Sequence, residues 1–374
     1  MGKNKILWFL WANPTFTASS RLQGLAIHLQ LKKLGYASGI AYMPTSFERT
    51  IPFSPSVEKA LPQLLNFGDI VILQKCKANN NLPLIQFFKR MEVTVLLIDC
   101  DLPIAQDVGK LVDRIICSSE ILRAAYSITN EQSIFIEDAP ERFEEKTLFQ
   151  EKNKLTCVWF GDGTGHRWED VQKLKTLFED PRLSRWELIT ISNHAEATIR
   201  WQPDYLTTIS KLADVVALPV FNQDEVNAAK SANRLLQSMA LSIPAICSPI
   251  FSYRTIAEKE KGVIVCDTDE DWTNAFLLLE DIVLRKEISK QAFRSAQKYR
   301  LEDRIKQWEV TLQLDEKFAS NQKTENELKQ IIQLFYLELI KKNIRYLTRV
   351  PFSWNSLKSA IYYVRGKLAQ TFSK

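Results

Sequence analysis

Histidine is scarce in this chain: there are three in 374 residues, His28, His166 and His194, far apart in the sequence. The six cysteines (Cys76, Cys100, Cys117, Cys157, Cys247 and Cys266) are scattered, with no Cys-x-x-Cys pair. Metal-ligand spacing is therefore missing, and no structural zinc or iron site is expected. The cysteines fall mostly inside apolar runs and read as reduced core residues. No run approaches the roughly 18 to 20 apolar residues that span a bilayer. The start MGKNKILWFLWANP imitates a signal peptide, but its apolar part, 6–12, is short and no clean small-x-small cleavage site follows. It reads as a first buried strand. A soluble or membrane-peripheral protein of the cytoplasm is the expectation. Repeats of fixed period and low-complexity tracts are missing too.

Apolar residues make up 45% of the chain and charged residues 25%, which excludes a largely disordered protein. The length suits two α/β domains of roughly 150 residues each plus an appendage. The net charge of +5 is concentrated at one end, because 341–374 carries eight cations and no acid. The remainder is near neutral, so nucleic-acid binding by the main body is not expected.

Short apolar runs bounded by turn residues alternate with segments of helical period, the pattern of βα units building parallel sheets. In the first half, strands are expected at 5–11, 38–42, 69–74, 93–99 and 113–117, with helices over 21–34, around 83–91 and from Ser119. The polar run 141–154 (ERFEEKTLFQEKNK) interrupts the rhythm, which restarts at 155–160. Further strands are expected at 187–192, 198–201, 214–219, 245–248 and 262–266, with helices over 229–241 and 271–282 between them. The chain then turns helical at 287–298, 302–314, 325–347 and 354–369. Three units result: a Rossmann-like domain over 1–150, a second over 151–314 whose last helices cross back to the first, and a basic amphipathic helical tail over 315–374.

The segment 214–249, DVVALPVFNQDEVNAAKSANRLLQSMALSIPAICSP, delivers Lys230, Ser231, Asn233 and Arg234 at a helix start after a buried strand. Free backbone N–H groups and the helix dipole favour an anion there, and Lys or Arg adds a full charge. A solvated helix start carrying two ordinary cations fits the spacing equally well. A second segment, WFGDGTGHR, sets Gly161, Gly163, Gly165, His166 and Arg167 after the first strand of the second half. Its glycines permit a tight turn and close approach to phosphate, or simply a plain βα turn.

The 214–249 stretch resembles the donor-binding segment of the retaining, family-4-like group of GT-B glycosyltransferases, with Gln237, Met239, Ala240 and Pro244 at motif positions. The chain is similar to a divergent branch of that group. The resemblance implies two Rossmann-like domains facing a cleft, a nucleotide-diphosphate sugar as donor and no further cofactor. It assigns Lys230 and Arg234 to the reacting diphosphate. Gly161, Gly163, Gly165, His166, Arg167, Ser231, Asn233 and Gln237 go to donor binding. The two glutamates of the group fall on Ala229 and Gln237, and neither is Glu.

On the first domain the resemblance points to Ser19, Ser20 and Arg21 as cleft residues, with one of the serines a helix N-cap. Asp99 and Asp101 are expected in structure or acceptor contact. Glu137, Asp138 and Glu141 fit either an acceptor contact or a solvated linker. His28 is expected as a packed core residue, and His194 has no assignment. The implied acceptor is a glycan or lipid-linked hydroxyl. Residues 325–374, with their apolar face and cations, suit an anionic membrane surface or, alternatively, a hairpin packed on the body or on a second subunit. Two other readings stay open: a non-catalytic partner of the same fold that binds a nucleotide sugar or glycan, and a nucleotide-sugar epimerase.

Overall fold

A computed structural model of the chain describes residues 4–222 and 224–347. The first sheet contains β1 (Ile6–Leu10), β2 (Ser38–Tyr42), β3 (Ile70–Gln74), β4 (Thr94–Asp99), β5 (Arg114–Cys117) and β6 (Ser133–Phe135). All pairings are parallel, in the order β2-β1-β3-β4-β5-β6. The second contains β7 (Leu155–Phe160), β8 (Trp186–Ser192), β9 (Ile199–Arg200), β10 (Val215–Leu218), β11 (Ala245–Cys247) and β12 (Val263–Val265). Its order is β12-β11-β10-β7-β8-β9, again all parallel, which is the doubly wound Rossmann order.

The all-apolar strands follow from burial on both faces. In β1, Leu7 and Phe9 enter one core cluster, whereas Ile6, Trp8 and Leu10 enter another on the opposite face. β4 repeats this with Val95 and Leu97 against Leu96 and Ile98. In the second domain Leu155 and Cys157 face one cluster, and Val158 and Phe160 the other. His28 is buried, with its Nδ1 2.8 Å from Ser38 Oγ, and burial pushes its pKa down to about 4: it is a core residue.

Both C-terminal helices return to the first domain. The helix Leu301–Leu312 contributes Ile305, Trp308 and Leu312 to the cluster around Trp8, with the two indoles 6.2 Å apart. The helix Gln322–Leu347 places Leu328, Ile331, Phe335 and Leu339 in the opposite cluster, Phe335 lying edge-on to Phe9 at 4.8 Å. Lys5, fully buried, pairs with Asp69 at 3.0 Å and with Glu327 of that helix at 2.9 Å. The apolar stripe read as suited to a membrane surface is therefore covered by the domain's own sheet as far as Leu339. The rest of that segment, 348–374, lies outside the described residues. No helix among the described residues is long and apolar enough to cross a membrane.

Candidate functional site

In a doubly wound sheet, ligands bind beyond the carboxyl ends of the strands where the winding reverses, here between β7 and β10. Both strands end in the segments singled out above. After β7 the chain turns through Gly161–Gly165. A Cβ on Gly161 would meet Arg234 Nη1 at 3.2 Å, and one on Gly163 would lie 2.6 Å from both His194 Cβ and Ser192 Oγ. Gly165 caps the helix His166–Leu177 with φ +59°, in the left-handed region. Gly163 N–H donates to Asn193 Oδ1 at 2.8 Å. Asp162 takes hydrogen bonds from Asn193 Nδ2 and Thr164 Oγ1, both at 2.8 Å, and pairs with Arg167. Burial pushes its carboxyl up, but these donors outweigh that and hold it below the usual range. The His166 side chain lies outside the described residues.

Beyond β10 the structure departs from the single helix expected over 229–241. A short helix, Glu225–Ala228, is capped by Asp224, and a turn separates it from the helix Asn233–Ala240. Lys230 stands in the turn, and Arg234 lies in the first turn of the second helix. Arg234 Nη1 reaches the Phe160 carbonyl at 3.4 Å, tying the two loops together. Burial, then the charges of Arg234 and Arg167, press the Lys230 ammonium down to about 8 against the weaker pull of Asp170 and Asp224. Among the described residues neither Lys230 nor Arg234 belongs to an ion pair, whereas Arg167 does.

Gln237, a donor-binding position by the resemblance, is engaged by the segment joining the domains. Its Oε1 accepts from Glu141 N–H at 2.7 Å and its Nε2 donates to the Arg142 carbonyl at 2.8 Å. Both halves of the buried amide are held by that segment, with one N–H and one acceptor site of the amide not used in these bonds.

On the opposite rim, Asp99 is fully buried and accepts from Lys77 Nζ and Tyr126 Oη, each at 2.6 Å. Asp101 pairs with Lys75 and keeps 40% of its side chain exposed. Lys75 lies 4.0 Å above the Trp11 ring and has φ +55°, unusual for a residue with a side chain. These two lysines escaped the sequence reading, although LQKCK after a buried run at a strand's carboxyl end was a usable signal.

The serines are placed differently from expectation. Thr17, not Ser19 or Ser20, occupies the cap position. Ser19 Oγ accepts from Trp11 Nε1 at 3.2 Å, and buried Ser20 donates to Gln74 Oε1 at 3.0 Å. Arg21 pairs with Glu141 and donates to the Pro14 carbonyl at 2.8 Å, so it is not a free anion contact. Nor is the linker simply solvated: Asp138 is buried and accepts from Gln23 Nε2 at 3.0 Å.

The two rims face each other. Ser119 Oγ donates to the Ala229 carbonyl at 2.6 Å, Tyr205 Oη to Glu141 at 3.3 Å, and Phe16 packs edge-on to Trp201 at 6.3 Å. Arg167 of the second domain acts electrostatically on Asp101 of the first. Lys230 and Arg234 thus border the interdomain cleft. On the β7 loop side opens a recess of about 570 Å³ lined by Gly163, Gly165, Trp168, Gln172, Asn193 and His194. Within it the Trp168 and His194 rings stack 3.9 Å apart. Neither aromatic had been assigned, since only the folded loops bring them together. Among the described residues no group of three or more His, Cys, Asp or Glu is placed to hold a metal ion.

No protein-family model matches the chain, and no curated protein sequence does. Solved structures do match. HepE from Anabaena, in complex with UDP and glucose, aligns at a TM-score of 0.61 and 11% identity, over 83% of this chain and 99% of that one. Sucrose-phosphate synthase from Thermosynechococcus elongatus aligns at 0.59 and 11%, over 83% and 98%. The lipopolysaccharide outer core galactosyltransferase WaaB, in its apo form, aligns at 0.55 and 14%, over 82% and 99%. A longer chain of the GtfA/B complex is also matched, and this chain spans 59% of its length. Identities this low speak to architecture. Two parallel six-stranded sheets with their carboxyl ends turned to a common cleft give this chain the GT-B fold of glycosyltransferases.

Proposed function

We propose that the protein transfers a sugar from a nucleotide-diphosphate donor to an acceptor hydroxyl. The observation that carries this reading is the pair of unpaired cations, Lys230 and Arg234, at a helix start beside the winding reversal of the second sheet. As the glycosidic bond breaks, negative charge collects on the departing diphosphate. Lys230, Arg234 and the N-terminal peptide groups of Asn233–Ala240 stabilise that charge more in the transition state than in the bound donor. The charge compensation comes from protein cations, so turnover is expected to survive a chelator. The loop Gly161–Gly165 lets the phosphates approach the backbone, and the Trp168–His194 recess receives the nucleoside. The acceptor, a glycan or lipid-linked hydroxyl of cytoplasmic glycan assembly, enters from the rim of Trp11, Lys75 and Asp101. Retention at the anomeric carbon comes from the family resemblance and is read by NMR of the first product.

A panel of nucleotide sugars assayed for thermal stabilisation and then for donor hydrolysis, with Lys230→Ala as control, tests the reading. Donor-dependent stabilisation follows mass action and reaches about 2.7 kcal/mol at a hundredfold excess over Kd. No stabilisation by any donor would end the proposal. The commitment of Gln237 to the linker and the lack of both glutamates favour one second reading, a GT-B partner that binds without turnover. Stabilisation with no hydrolysis or transfer selects it.

A further inference from the structure

Lys230 stands between two residues that the first domain holds. On one side, the Ser119 hydroxyl donates to the Ala229 carbonyl at 2.6 Å in a buried contact that crosses the domain boundary. On the other, the Ser231 hydroxyl acts on the Asp138 carboxylate, whose buried Oδ2 has no hydrogen-bond partner. Asp138 is 6% exposed and is itself fixed by Gln23 Nε2 at 3.0 Å. Within its own domain, the turn has a weaker hold on Lys230, whose N–H donates to the Asn227 carbonyl at 3.2 Å. The helix that follows is tied to the linker by Gln237 and by Glu144 N–H, which donates to the Ala240 carbonyl at 2.9 Å.

We infer that Ser119 and Asp138 are positioning residues for Lys230: the first domain aims the lysine through its two neighbours, so the anion site is complete only while the domains are docked in this register. The inference rests on the reading of Lys230 as the diphosphate contact. It also explains a feature of Ser119, whose Oγ accepts from Leu122 N–H at 3.2 Å as a helix N-cap while donating to Ala229. Serine and threonine carry one hydroxyl that does both. Any acceptor or effector that shifts the docking of the domains then changes donor affinity without touching the donor.

The test reads the lysine directly. In the full-length protein, the pH dependence of reductive methylation at Lys230, followed by mass spectrometry, reports its titration. Binding of UDP is measured in parallel by calorimetry. In the wild type, Arg234 and Arg167 press on Lys230, and Asp170 and Asp224 oppose them, with a midpoint expected near 8. Ser119→Ala combined with Ser231→Ala frees the turn, so the midpoint rises towards 10.5. UDP affinity then falls roughly fivefold to tenfold, the scale of a lost positioning hydrogen bond or two. Ser119→Thr keeps the midpoint low, and in a Lys230→Ala background Ser119→Ala costs no further affinity. A midpoint unmoved by the double variant overturns the inference even if UDP binds. A shifted midpoint in a protein that never binds UDP upholds the positioning and removes the diphosphate reading instead.

Discussion

The two rims of the cleft are built on sheets of the same kind and treat charge in opposite ways. On the first domain three cations near the cleft are ion-paired, Lys77 with Asp99, Lys75 with Asp101 and Arg21 with Glu141, while Arg49 lies 5.8 Å over the Trp11 ring. On the second domain Lys230 and Arg234 belong to no ion pair among the described residues, and they repel each other and Arg167. A buried pair is a structural commitment, because removing one member strands the other in low dielectric. Partly buried cations held together against only the weaker pull of Asp170 and Asp224 make the opposite commitment, since an incoming anion relieves their repulsion. Under the proposed function, the contrast assigns donor chemistry to the second rim and architecture to the first.

The largest effect expected from this contrast is on stability. Asp99→Leu leaves Lys77 buried and Tyr126 without its acceptor, and it should cost about 3–5 kcal/mol in urea unfolding. Lys230→Ala should cost almost no stability, since it relieves repulsion. A loss of under about 1 kcal/mol for Asp99→Leu would erase the distinction between the rims.

Next comes affinity. Lys230→Ala removes a charge-assisted contact worth about 1.5–3 kcal/mol, so calorimetry should show UDP binding weakened roughly tenfold to a hundredfold. Lys230→Arg should retain most of it. Equal affinity in Lys230→Ala would show that the cation pair does not face the diphosphate.

The pH dependence is smaller and has a definite sign. Lys230 titrates near 8, and a bound diphosphate favours its charged form. Above that pH, binding must take up a proton, so affinity falls by up to about tenfold per pH unit beyond the midpoint. Below it, affinity is flat in this group. The slope should vanish in Lys230→Ala, and Lys230→Arg should stay flat because a guanidinium keeps its charge. A slope that persists in Lys230→Ala belongs to another group.

The architecture was legible because each strand is nearly all apolar and each interruption polar: 155–160 and 38–42 were placed to the residue. The helix start that carries Arg234 was legible because a helix after a strand is a local feature of sequence. The linker contacts of Gln237 were not legible, for the converse reason. Its helix was expected over 229–241 and spans Asn233–Ala240, and its partners, Glu141 and Arg142, lie nearly a hundred residues away on a linker whose return path has no local signature. The same holds for Trp168 and His194, which meet only once β7 and β8 are paired. The tail's apolar stripe was visible, but what covers it was decided by β1 and β2, at the other end of the chain.

The smallest predicted effect is the sharpest test of the contrast, because the resemblance points to Arg21 as a cleft residue. In the structure its guanidinium lies against Glu141, and Tyr205 of the second domain donates to the same carboxylate. This ties the first domain, the linker and the second domain together. Both side chains are only about one-fifth exposed, so solvent screens the pair in part and Arg21→Ala should cost about 1–3 kcal/mol of stability. UDP affinity measured by calorimetry should stay within about twofold, since the lost hydrogen bonds are not to ligand. If Arg21→Ala instead weakens UDP as much as Lys230→Ala does, the guanidinium must leave Glu141 for the diphosphate. The first rim would then hold donor chemistry too, with its ion pairs serving as latches that open on binding.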